Sequence, residues 1–152
     1  MTLSVRIQAE PFDAGSEVAR LTAALSGTAG AVVSFAGLCR DEGGRLAALE
    51  IEHFPGMAEA EVARVAEEAA RRWPLQGAAV IHRHGMVRPG EGIVLVVAAS
   101  AHRSAAFEAA AFLMDYLKTR APFWKREHGA DGTAGAWVEA TAADDAAAGR
   151  WA

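Results

Sequence analysis

Lysine is nearly missing from this chain. Of fifteen basic residues only Lys118 and Lys125 are lysine, and the rest are arginine. Cysteine is scarcer still, and a lone Cys39 excludes an internal disulfide or a multi-thiolate metal site and fits a reducing compartment. The longest strongly apolar run, Gly92 to Ala101, is about half of the ~20 residues that a bilayer-spanning helix requires. No charged-then-apolar leader opens the chain, so a cytoplasmic location is expected and no membrane role. Basic charge is not in excess either: the formal net charge is -4 and the pI about 5.7, which argues against general nucleic-acid binding. Neither a G-x-x-x-x-G-K-[ST] phosphate loop nor a His-Glu-x-x-His metal motif occurs.

What remains is an ordinary globular composition, 52% hydrophobic and 22% charged, in 152 residues. That length suits one domain, 1–152, burying roughly 68–70% of its unfolded surface. Leu3 to Gln8 alternates like a strand, and Ser16 is placed to cap a helix to about Leu25. Ala31 to Leu38 and Leu46 to Phe54 read as strands joined by the Asp41-Glu42-Gly43-Gly44 turn in an antiparallel hairpin. Met57 to Trp73 repeats apolar residues at helical spacing, with Glu67–Arg71 and Glu68–Arg72 on its polar side. Strands Ala78 to His84 and Gly92 to Ser100 follow around Pro89-Gly90. Ser104 can cap a helix to about Arg120 whose apolar residues cannot share one face, so it should be buried on several sides. Phe123 to Glu127, a strand around Trp137-Val138-Glu139 and a last helix to Trp151 complete an α+β order.

Both lysines flank the Ala121-Pro122 break, so a chain reversal can bring the two amines to one pocket mouth. Arginine stays protonated at any working pH, whereas a buried lysine can lose its proton and act as base, nucleophile or proton donor. Lysine at a helix C-terminus is also favoured by the helix dipole with no chemistry at all. Ser100-Ala101-His102-Arg103-Ser104 joins a buried strand to a helix start, where free N–H groups and the His and Arg side chains suit an anion such as phosphate. A simple helix cap explains Ser104 equally well. Arg40, at the end of a strand beside a polar turn, is a third cation. His82 and His84 share one strand face but have no second ligand pair at metal-binding spacing, so no metal is assigned.

These stretches resemble a known family, the large catalytic subunit of molybdopterin synthase. Val32 to Gly37 before Arg40, Leu49 to Met57, Arg72 to Leu75, Val80 to Arg83, Ser100 to Glu108 and above all Phe112 to Glu127 carry the resemblance across nearly the whole chain. It implies a hammerhead-type α+β fold with antiparallel hairpins and a buried helix. It also implies a large-subunit homodimer that becomes a heterotetramer by binding two small ubiquitin-like sulfur carriers. The implied reaction turns cyclic pyranopterin monophosphate into molybdopterin, adding two sulfurs taken from the carrier's C-terminal thiocarboxylate, with no resident metal or cofactor. On that resemblance Lys118 and Lys125 are catalytic, Arg40, His102, Arg103, Arg126 and Glu127 bind substrate, and Phe35 and Met114 form the pocket wall. Leu38 departs from the pattern, because many relatives carry lysine there, and it leaves only backbone for a substrate contact.

Between the lysines, Lys125 is expected to be the more readily deprotonated. Arg120 and Arg126 are its neighbours in sequence, and strand alternation decides whether Arg126 faces it. Lys118 feels helix C-terminal carbonyls, which favour its ammonium form. Two alternatives compete with a sulfur-transfer enzyme: a docking module that binds the carrier's tail without chemistry, and an unrelated phosphate-ester enzyme.

Overall fold

Two strands buried on both faces organise the larger of two sheets. The computed structural model describes residues 1–119, 121–138 and 142–151. β1 (Thr2–Gln8), β4 (Leu75–Arg83), β6 (Gly92–Ser100) and β2 (Ala31–Leu38) form a four-stranded sheet in the order β1-β4-β6-β2. β1 runs parallel to β4, and the other two pairings are antiparallel. The central strands are apolar on both faces because both are covered. Val80, Val94, Val96 and Ala98 point to one core with α2 (Met57–Arg72) and α3 (Arg103–Thr119), whereas Ile81, Leu95, Val97 and Ala99 meet Leu21 and Leu25 beneath α1 (Ala14–Ala24). Each fully buried Val or Leu contributes about 1.5–3 kcal/mol. β5 (Gly85–Val87), β3 (Leu46–His53) and β7 (Phe123–Gly129) make a second, antiparallel sheet, and α4 (Ala142–Gly149) packs on α3.

The expected hairpin of β2 and β3 does not form. β2 pairs with β6, and the turn after it hands the chain to the second sheet, where β3 lies between β5 and β7. Glu42, Gly43 and Gly44 have φ of 53°, 71° and 86°, a left-handed run that two glycines make accessible. An apolar edge was available on β6, and pairing there satisfies the backbone of β2 and half-buries Ala31, Val32 and Val33.

Helix starts also shift. Asp13 rather than Ser16 caps α1, its carboxylate accepting from the Ser16 N–H at 2.9 Å, and α3 starts one residue before Ser104. Phe112, Leu113 and Leu117 on α3 are buried as expected, but Phe107 is 61% exposed. On α2, Glu68 takes both Arg71 and Arg72, at 2.6 and 3.0 Å. Val138 makes only a bridge to Lys125 in place of a strand, while Glu139 and Arg120 lie outside the described residues.

Arg83 is 5% exposed and ties the strand ends together. Its Nε and Nη2 donate to the Ala9 carbonyl at 3.0 and 2.7 Å, and Nη1 lies 3.4 Å from Glu91. Arg83→Lys should destabilise the fold by about 2–4 kcal/mol, because a point ammonium cannot reproduce the fork and leaves a buried carbonyl underserved. Urea unfolding measures it, and an unchanged midpoint would contradict this role.

Candidate active site

α3 delivers Lys118 from its last turn, and the chain reverses through Ala121-Pro122 into β7, which carries Phe123, Lys125 and Glu127 on one face. Both lysines line a cavity of about 660 Å³ together with Arg40, His82, Met114 and Glu127. Lys118 lies close enough for its amine to bear on that of Lys125. Burial, then the charge of Lys118, lowers the Lys125 pKa from 10.5 to about 8. Asp144, at the start of α4, opposes that shift and lines the cavity beside Asp145.

The lowering at Lys125 has a different cause from the neighbouring arginines invoked on sequence. Arg126 points to the other face of β7, where its Nε donates to Glu50 at 2.8 Å and its guanidinium lies 4.5 Å from the Trp137 ring. His128 shares the same Glu50 oxygen at 2.8 Å, and these two hydrogen bonds, His128 first, hold the Glu50 carboxyl below its usual range. Arg126 does not line the larger cavity, but it borders a smaller one of about 330 Å³ that Lys125 and Glu127 also line.

The remaining candidates divide. Arg40 reaches the cavity rim with its side chain 83% exposed and paired to Glu42 at 3.1 Å. Glu127 lies at the rim and pairs with Arg45 at 3.2 Å. Met114 is a wall residue. His102 and Arg103 sit exposed at the opposite end of α3, and fifteen residues of helix place Arg103 about 22 Å from Lys118. One small ligand cannot touch both ends. Phe35 and Leu38 do not line the cavity; they stand 45% and 57% exposed on the open edge strand β2.

Sequence reading missed two contributors. His82 is 4% exposed and lines the cavity, its ring stacked on Phe123 with centroids 3.9 Å apart. The clue was available: a histidine closing the apolar run Ala78 to Ile81 has no water to turn to. The acidic pair Asp144 and Asp145 gave no such signal, because sequence does not show where α4 docks. Trp151 sets that docking by donating to Asp115 at 2.6 Å and packing on Phe112. Among the described residues no three His, Cys, Asp or Glu side chains converge as a metal site.

A family model described as MoaE protein matches residues 7–120, including β2, both central strands and all of α3. The chain belongs to the MoaE family. A relative from Mesorhizobium japonicum, named molybdopterin synthase catalytic subunit, is 68% identical over 97% of this chain and 92% of its own length. The solved MoaE protein of Burkholderia ambifaria superposes with a TM-score of 0.83 at 46% identity, covering 99% of this chain and 98% of that one. Molybdopterin synthase from Staphylococcus aureus gives 0.75 at 28% identity over 87% and 94%. The resemblance read from the motifs and the α+β class both stand, and the paired-lysine cavity is where this MoaE-family chain concentrates its titratable groups.

Proposed function

We propose that the chain is the catalytic subunit of a molybdopterin synthase, an enzyme of molybdenum cofactor biosynthesis that moves sulfur from a carrier protein's C-terminal thiocarboxylate onto cyclic pyranopterin monophosphate. The observation that carries this reading is the lysine pair, one amine pushed down to about 8 and the other beside it at a cavity rim. The names of close relatives support it, and a chain called a catalytic subunit has a partner.

Sulfur addition needs attack by a thiocarboxylate on a pterin side-chain carbon, loss of an oxygen function, and hydrolysis of an acyl link between carrier and substrate. These steps use a proton acceptor and a cation in one place. Neutral Lys125 supplies the first, and the Lys118 ammonium steadies carboxylate and oxyanion charge. Arg40 is the cation at the rim for the substrate's phosphate. His102 and Arg103 reach a lysine cavity only from a second copy, which accords with the proposed homodimer and heterotetramer. β2 is an open sheet edge exposing Phe35 and Leu38, a surface suited to association. Sulfur arrives on the carrier, so the reading calls for no resident cofactor or metal.

Single-turnover conversion of cyclic pyranopterin monophosphate by the purified chain, with and without thiocarboxylated carrier, tests the proposal. Molybdopterin formed only with the carrier is the expected result. Tail binding without product would make the chain a docking module, and turnover indifferent to the carrier would make it a different phosphate-ester enzyme.

A further inference from the structure

His82 is a buried titratable group in the lysine cavity that the sulfur-transfer scheme leaves unused. Its surroundings define its state. Nδ1 lies 2.8 Å from the Arg83 carbonyl oxygen, and a carbonyl only accepts, so Nδ1 carries the proton. Nε2, across the ring from that anchor, is then a bare lone pair. The Phe123 ring holds one face at 3.9 Å and 13°, and Phe123 shares its side of β7 with Lys125 two residues on. The carbonyl anchor and the Phe123 ring together fix the imidazole, and the His82 side chain lines the lysine cavity.

We propose that His82 is a positioning residue for Lys125, offering Nε2 as a fixed acceptor for an N–H of the lysine amine. A directed chain of hydrogen bonds follows. Lys125 donates one N–H to Nε2 and Nδ1–H donates to the Arg83 carbonyl, which leaves the lone pair of the neutral amine for substrate. Holding one N–H at Nε2 narrows the directions open to the Lys125 lone pair before substrate arrives. Burial, followed by the charge of Lys125 and more weakly that of Lys118 and His53, lowers the His82 pKa to about 3, so the ring stays neutral and does not add a third positive charge. The other charged groups around Lys125 are Asp144 and Asp145 from α4, Arg40 after β2, and Glu127 on its own strand.

The inference rests on the lysine chemistry proposed above, but its first test needs no turnover. His82→Phe keeps a ring against Phe123 and removes the acceptor, whereas His82→Gln keeps an acceptor. An acceptor favours ammonium over amine, so the Lys125 midpoint, followed by NMR of ¹⁵N-labelled full chain, should fall by about half a pH unit or more in the Phe variant and recover in the Gln variant. Under single turnover the plateau rate should drop about tenfold in Phe with KM little changed, and Gln should restore most of it. A folded Phe variant with an unmoved Lys125 midpoint overturns the proposal. If that variant does not fold, the unsubstituted chain decides: His82 should show protonated Nδ1 and a bare Nε2 whose resonance moves on Lys125→Met, and an Nε2–H tautomer or an unmoved resonance overturns it. A wild-type chain that makes no molybdopterin sinks the function while leaving the titration result intact.

Discussion

Replacing Lys125 by arginine should lower single-turnover product formation by about 10²–10⁴-fold while carrier binding survives. With its pKa at about 8, Lys125 is neutral in roughly one molecule in ten at pH 7; at the ordinary 10.5 the neutral fraction would be about 300-fold smaller. Guanidinium has no accessible neutral form and its planar fork needs more room than the ammonium it replaces. Lys118→Arg should also abolish product, through geometry more than protonation, because a compact amine within reach of Lys125 becomes a flat group. In the wild type the rate should climb as pH rises through about 8, the limb following loss of the Lys125 proton, and the Lys125→Arg variant should lack that limb. Normal turnover in both variants would mean the lysines supply only charge.

The lysine pair is legible because a chain built on arginine marks its two exceptions, and because Ala121-Pro122 forces a reversal between them. The helices are legible from their apolar spacing, even where Asp13 displaces Ser16 as the cap. Pairing partners are not. Nothing local in Ala31 to Leu38 says that β6 competes for it more strongly than β3 does, because the decision lies in which face of a distant strand is left open. The anion motif around His102 and Arg103 does mark a helix start, yet its distance from the lysines is fixed by the length of α3, a number the motif itself does not display. Arg126 is missing from the larger lysine cavity for a simpler reason. Period-two alternation sends it away from Lys125, and Glu50 on the neighbouring strand takes it.

Keeping Lys125 buried should make the fold less stable, and the sign is testable. Its folded pKa of about 8 lies below the unfolded value of 10.5, so between those values the unfolded chain binds the proton and the native chain does not. Stability from this group therefore rises as pH climbs from about 8 to 10.5, and the whole penalty applies below 8. Lowering the pKa from 10.5 to about 8 corresponds to about 3 kcal/mol, so Lys125→Met should gain up to that amount at pH 7, with the gain shrinking to nearly nothing by pH 10.5. Comparing variant and wild type at each pH cancels Cys39, whose thiol burial pushes up and which alone would make stability fall in alkali. Urea midpoints at pH 7 and pH 10 are the measurement. A gain that is equal at both would assign it to better packing by Met, and no gain at either would mean that water or Asp144 already solvates the ammonium. A gain confined to the lower pH would show that the fold tolerates an uncomfortable lysine where an apolar residue serves stability better, which is the expected mark of a side chain kept for its proton.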